Sequence, residues 1–537
     1  MKNFLKRPAI YYSLIIIILF LGQFLFISPI GEFALNDDWV HTEIMKHWVD
    51  SGEFRMSTYA GPTFYVPILY GAALTKIFGF SFSILRISTL ILALGTLLTF
   101  NFLLYKLNHK PHINLLIVLA LWFNPIFYNL SFTFMTDIPA LFLFVVSLYF
   151  YSIAFTEKKP LYILGGSLFS IIGFYTRQTN ILLMVAAGIY SLTQLKNIPL
   201  KHSLWSFGIP SILWLIIYIF LDNNNLLPQG SSYHTVASSE MLKHILWWIW
   251  YSLIYLGFFS IPFAMGYAFK RTKSHFKNWK LLLTIFTTVI IAIVIRQMLK
   301  TQFPYVMNII TQYGLGGVEY TLNGILKSIF SSKIWGIITL TCAASGGWLL
   351  YIMGKNKQPN QKIQGLFYVF GFIYLIPILI FQSFDRYYLP LFIIMGIIIA
   401  QYLTFKKISA LVAIAILIGF AFFSINQTAF YLNWNKTRWK LANNILYETR
   451  IEPYHIDAGY EWNGWHTYWS AYEAQQNGTP HGAWNGPWWI RNIFVNNTQN
   501  YIVSFSPLEP YKIKETKKIP GWNPNNTLYL LEKTEEN

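Results

Sequence analysis

Two carboxylates stand side by side in the run Asn36-Asp37-Asp38-Trp39, close behind the first long apolar stretch of the chain. A carboxylate held near lipid tails binds its proton more tightly than in water and can act as a general base on a hydroxyl. Aspartate at a helix start also satisfies free backbone N–H groups, so capping is open for the same pair. A third acid lies in Met135-Thr136-Asp137-Ile138-Pro139, where Pro139 suits a first helical turn and either Thr136 or Asp137 could cap it. An ionisable group at the end of an apolar segment is a functional candidate by default.

Two cations accompany these acids. Arg177 lies in Tyr175-Thr176-Arg177-Gln178-Thr179, and Arg386 in Ser383-Phe384-Asp385-Arg386-Tyr387-Tyr388-Leu389-Pro390. A guanidinium fork binds phosphate through two parallel hydrogen bonds, so arginines beside a membrane cavity could hold an anionic lipid head. Pairing of Arg386 with Asp385, or snorkelling to lipid phosphates, is the alternative.

The elements that must position these groups are apolar helices. Of 537 residues, 55% are hydrophobic and only 12% charged, with a mean hydropathy of +0.42; a bilayer is the expected solvent. Spans are expected near 9–29, 83–105, 113–131, 139–155, 161–175, 179–194, 203–221, 245–268, 280–297, 332–353, 364–382, 388–404 and 408–427, about thirteen in all. The first is expected to be retained rather than cleaved as a signal peptide, since no small-residue cleavage site precedes Pro29. The net charge of +18 belongs wholly to the part before Thr428, because the remainder carries ten Lys plus Arg against ten Asp plus Glu. With the N-terminus inside, every cytoplasmic connection carries at least two basic residues, which is the positive-inside pattern and not a nucleic-acid patch.

This reading divides the chain into a transmembrane unit, 1–427, and an extracytoplasmic domain, 428–537. The first outer loop, 31–82, holds six of the twelve acids before Thr428. Its second half, Pro62 to Phe80, reads as an interfacial helix. The tail is rich in Asn, Gly, Pro, Trp and Tyr, with strand-like pieces at Tyr501 to Phe505 and Thr527 to Leu531, so a small α/β or mostly β domain fits. Its run Tyr460-Glu461-Trp462-Asn463-Gly464-Trp465-His466, followed by Trp469, Trp484, Trp488 and Trp489, offers aromatic faces to a sugar ring, which would make Tyr460, Trp462 and Trp465 acceptor-binding residues. Packing of a small core or an interfacial belt would use the same residues. The lone Cys342 excludes a disulfide framework and a cysteine metal cluster. No nucleotide-binding loop occurs, and the histidines, His41 and His47 among them, form no metalloprotease motif; no cofactor is expected, and a divalent metal has no ligand set to support it.

These motifs together resemble a family: Asn-Asp-Asp after the first helix, Gly61-Pro62-Thr63-Phe64-Tyr65 before an interfacial helix, Leu85-Arg86-Ile87-Ser88, Thr136-Asp137-Ile138-Pro139 and Asp385-Arg386-Tyr387. The chain is similar over roughly residues 1–430 to the GT-C glycosyltransferases of the protein O-mannosyltransferase and aminoarabinose transferase kind. The resemblance implies an all-α polytopic membrane fold with a small extracytoplasmic domain. It also implies transfer of a sugar, with inversion, from a polyprenyl-phosphate donor to a hydroxyl of a lipid, glycan or protein acceptor. Asp37 would be the general base and Asp38 a further catalytic candidate, while Asp137 would position the acceptor or assist. Arg386 and Arg177 would bind the donor phosphate and stabilise the departing charge without protonation. The sequence departs from the aminoarabinose transferases at Gly61, where they carry a lysine, and at Asp37-Asp38, where they carry Asp-Glu.

A secondary transporter or lipid flippase is the rival reading, with buried acids relaying protons and arginines binding an anion. Transport sites lie near the midplane on broken helices, whereas these charges cluster at one face. The expected location is the bacterial inner membrane, with the N-terminus cytoplasmic and the C-terminal domain outside.

Overall fold

The computed structural model describes every residue except 1–7, 58, 62–64, 109, 228–239, 270–277, 318–321, 355–362, 382, 406, 478–498 and 535–537. Trp484, Trp488, Trp489 and Pro62-Thr63-Phe64 of the motifs above lie outside the described residues.

Each expected span contains a helix. In chain order, with two outer-loop helices among them, these are α1 (Pro8–Gly22), α2 (Asp38–Ser51), α3 (Tyr65–Phe78), α4 (Phe82–Asn108), α5 (Pro111–Trp122), α6 (Pro125–Ser131), α7 (Asp137–Glu157), α8 (Leu161–Phe174), α9 (Ile181–Leu192), α10 (Leu200–Asn223), α11 (Met241–Ala268), α12 (Trp279–Leu299), α13 (Ser332–Gly354), α14 (Gln364–Ile380), α15 (Leu389–Tyr402) and α16 (Lys407–Thr449). Among the described residues eight helices are long and apolar enough to cross a membrane, and the bent pair α5 and α6 makes a ninth candidate. The chain is a multi-pass integral membrane protein.

Three differences from the sequence reading have local causes. The span expected at 113–131 is broken, with α5 and α6 inclined by 66°. Pro125 lacks the N–H that would continue the helix and forces Asn124 into an extended conformation, from which its side chain caps α6 at Ile126 N, 3.0 Å away. The acidic loop is itself helical over α2. The boundary expected at 427/428 falls inside α16, whose 43 residues span about 64 Å at 1.5 Å per residue, roughly twice the hydrocarbon thickness.

The C-terminal half of α16 carries the domain that the sequence reading expects on the outer side, called the outer domain below. Gln427 ties it to the chain end, donating to Trp522 O at 2.7 Å and accepting from Asn523 Nδ2 at 3.0 Å. The domain joins α17 (Tyr460–Gln476) to a four-stranded sheet of order β3-β4-β6-β5, formed by β3 (Ile456–Asp457), β4 (Tyr501–Ser504), β5 (Tyr511–Lys518) and β6 (Thr527–Lys533). β3 and β4 run parallel and the other pairs antiparallel. β5, the lysine-rich edge strand YKIKETKK, is largely exposed, and charge along an open edge discourages pairing with another chain. A short hairpin, β1 (Ile310–Thr311) with β2 (Gly314–Leu315), lies in the outer loop after α12.

Two features set the site at the centre of the bundle end that meets this domain. Every residue of α15 from Leu389 to Ala400 is buried, as expected of a helix apolar all round, so the bundle packs around it and the turn before it opens in the middle. The segment leading to Asp37 is strapped over the start of α4. Arg86 donates to Pro29 O at 2.6 Å and Phe33 O at 2.9 Å, and Glu32 accepts from Ser81 Oγ, Ser83 Oγ and Phe82 N at 2.8, 2.7 and 2.9 Å.

Candidate active site

Asp37 occupies the N-cap position of α2, but its side chain makes no cap bond. Its carboxylate turns instead to two donors from distant parts of the chain. The Tyr460 phenol, at the start of α17, donates to Oδ1 at 2.9 Å, and Arg386 donates through Nη2 to Oδ2 at 3.4 Å. The Asp37 side chain is 35% exposed, so it can meet a substrate, while Arg386 is 9% exposed.

Asp137, the first residue of α7, faces the same guanidinium, with Oδ2 3.8 Å from Arg386 Nη1. Its other oxygen accepts from Arg177 Nη1. Thr136 stands at the N-cap with no side-chain bond, so neither residue is spent on capping. The Arg177 guanidinium lies 4.4 Å from the Tyr387 ring centre, a cation–π contact that fixes its plane. Two acids and two arginines from four segments thus meet at one end of the helix bundle. Asp137 Oδ2 and the Nε and Nη1 of Arg386 have no hydrogen-bond partner among the described residues. Buried polar atoms left this way are costly unless something binds them.

Asp38 does not join this cluster. It is buried, and its oxygens accept from Leu35 N and, at 3.3 Å, from Phe134 N, tying the start of α2 to the turn before α7. Burial raises its carboxyl to about 8, against the nearby Arg86 charge and the two amides. Asp385 is likewise not the partner of Arg386. It accepts from Ile309 N at 3.0 Å and Ile310 N at 2.7 Å, pinning the outer hairpin over the bundle, and burial lifts it to about 7.

The outer domain reaches the site through α17. Gly464 permits this, because a Cβ there would sit 2.5 Å from Cε2 of the Trp39 ring. Glu461 accepts from Asn36 N at 2.9 Å and from Arg438 of α16 at 2.8 Å, and the Glu461 and Arg438 side chains are fully buried. Asn36 adopts φ 56°, a left-handed conformation that asparagine tolerates better than most residues. This turn aims Asp37, and Glu461 holds its N–H. The sequence motifs give Glu461 and Arg438 no role of their own; charged residues inside tryptophan-rich runs are the signal that marks them. His41, one turn after Asp37 on α2, is buried, which lowers its ring to about 4 against the pull of Asp37 and Asp137.

The tryptophans expected to stack on acceptor make protein contacts. Trp462 is fully buried and donates to Asn443 Oδ1 at 2.8 Å, so no face is free for a sugar. Trp465 stacks on Phe80, ring centres 5.4 Å apart, and packs edge-on against Phe82 at 5.0 Å, joining the outer domain to the first loop. Among the described residues no group of three His, Cys, Asp or Glu is placed to hold a metal ion.

Residues 66–221 match the family model of dolichyl-phosphate-mannose-protein mannosyltransferases, a stretch holding Asp137 and Arg177. This bears out the likeness to GT-C glycosyltransferases read from the motifs. Among solved structures the chain is similar to ArnT from Cupriavidus metallidurans bound to undecaprenyl phosphate, at 10% identity and a TM-score of 0.42, covering 97% of this chain and 98% of that one. The apo crystal structure of the same protein gives 11% identity and a TM-score of 0.40, covering 96% and 97%. No curated protein matches the sequence.

Proposed function

We propose that this chain is a membrane glycosyltransferase that moves a sugar from a polyprenyl-phosphate donor to a hydroxyl acceptor at the extracytoplasmic face. The observation carrying the proposal is the pair of carboxylates, Asp37 and Asp137, on either side of the Arg386 guanidinium, at 3.4 and 3.8 Å. The family match over residues 66–221, named for mannosyl transfer from dolichyl phosphate, supports the donor class.

Asp37, the more exposed acid, serves as general base. It takes the acceptor proton as that oxygen attacks the anomeric carbon; the bond from carbon to phosphate oxygen breaks, and polyprenyl phosphate leaves as an anion with inversion. The donors left unused on Arg386 meet the phosphate oxygens, so the leaving group needs no proton. Asp137 holds Arg177 and Arg386 in register and orients the acceptor. Asp38 is a positioning residue, since its carboxylate serves backbone amides. Tyr460 belongs to the site as the donor that orients Asp37, not as a sugar platform.

The test is transfer of radiolabel from polyprenyl-phosphate sugars in membranes holding the native chain or Asp37→Asn at equal protein level. Transfer by the native chain, lost in the variant with donor binding retained, is expected. Full activity in the variant removes Asp37 from the mechanism, and no transfer with any donor removes the reading itself.

A further inference from the structure

A largely apolar cavity edged by lysines lies at the end of α7 opposite Asp137. Asp137 opens α7 and Lys158 closes it 21 residues later, a rise of about 32 Å at 1.5 Å per residue. Beside Lys158, between the starts of α8 and α10, is a cavity of about 730 Å³, within the range of about 300–1,000 Å³ usual for small-ligand sites. Lys158, Lys159, Lys201 and His202 line it together with Tyr162 and Trp205, and no carboxylate does. The nearest acid, Glu157, is occupied by Lys106 and, at 2.7 Å, by Lys159. Lys158 and Lys201 form no ion pair among the described residues, so two uncompensated ammonium groups face one space. Its rim is apolar and lipid-facing, with Leu161 76% and Trp205 61% exposed.

We propose that this cavity is a binding site for the headgroup of an anionic phospholipid, its phosphate between Lys158 and Lys201 and its acyl chains along Leu161 and Trp205. Clustered lysines between helices at a membrane surface attract anionic lipid, and tryptophan favours the depth of headgroup and first methylenes. A soluble phosphate ester would share the charge but would leave the apolar rim unused. The site is independent of the chemistry at the other face.

The experiment is native mass spectrometry of the full chain in detergent, titrated with palmitoyl-oleoyl phosphatidylglycerol or with phosphatidylcholine of the same chains. One tightly retained phosphatidylglycerol is expected, with phosphatidylcholine retained weakly. Lys158→Gln/Lys201→Gln should weaken phosphatidylglycerol binding about ten- to thirty-fold, and Lys201→Gln alone, if the double variant does not fold, about five-fold. Lys280→Gln, at the start of α12, should leave it unchanged. Equal retention of the two lipids, native-like binding by the pocket variants, or an equal loss in Lys280→Gln overturns the proposal. Displacement of the lipid by an equal concentration of glycerol phosphate does so too.

Discussion

The Tyr460 phenol donates a 2.9 Å hydrogen bond to Asp37 Oδ1 across 423 positions of sequence, so the outer domain completes the surroundings of the proposed base. Asp37→Asn tests the base itself. It should lower the transfer rate by about 10²–10⁴-fold, the usual share of general-base catalysis, while protein level and donor binding hold. Initial rates at saturating donor measure this, and a loss confined to KM would refute the role.

Tyr460→Phe removes one oxygen and leaves the packing against Trp39. Losing this donor frees the Asp37 carboxylate to turn away from its pose, so kcat should fall about ten-fold while the KM for the donor holds. A loss that follows the amount of folded protein, with kcat per folded molecule unchanged, would mean that Tyr460 acts only through folding.

Arg386→Lys should cost more than Arg177→Lys. Arg386 reaches both Asp37 and Asp137 with different nitrogens, and a lysine's single ammonium cannot span them. The KM for the polyprenyl-phosphate donor should rise at least about ten-fold in Arg386→Lys, and equal effects in the two variants would remove Arg386 from phosphate binding.

Glu461→Gln strands the buried Arg438 charge while keeping an oxygen for Asn36 N. Breaking a buried pair in this way costs about 3–5 kcal/mol, whereas Glu461→Gln/Arg438→Met should recover much of that loss, because no lone charge remains. Thermal unfolding in one detergent compares them, and a double variant no better than the single counts against charge burial as the cause.

Acidification should weaken the fold through His41. Burial holds its folded value at about 4, below an unfolded value of 6.5. The folded state therefore favours the neutral ring, and the stability is complete above 6.5 and drains as pH falls toward 4. His466, half-buried in α17 and also lowered to about 4 by desolvation, acts in the same direction. Comparing the pH dependence of Tm in the native chain and His41→Asn isolates the effect, which is refuted if the two profiles run parallel.

Much of the fold was legible along the chain because the bilayer constrains sequence so directly. Apolar runs, basic inner connections and a polar tail followed from the need to bury every backbone bond in lipid. The break at Pro125 went unread, because the apolar pattern runs through it; the missing N–H was its one signal. The members of the site, Asp37, Asp137, Arg177 and Arg386, stood out because charge is scarce in such a chain.

Their partnerships were not legible, since ion pairing depends on distance in space and neighbours in sequence mislead. Asp385 stands next to Arg386 yet bonds the backbone at Ile309 and Ile310, while Arg386 turns to Asp37 and Asp137. Asp38 stands next to Asp37 and serves Leu35 and Phe134, because successive residues at a helix start point in different directions. Trp462 and Trp465 had the composition of a sugar platform, and only packing showed Trp462 fully buried and one face of Trp465 stacked on Phe80. The sequence by itself determined that this is a membrane protein with its polar chemistry gathered at one face. Tertiary structure decided which carboxylate meets the arginine and which meets the backbone, because helix ends far apart in the chain are brought within hydrogen-bond range only by the packing of the bundle around α15 and of α17 against Trp39.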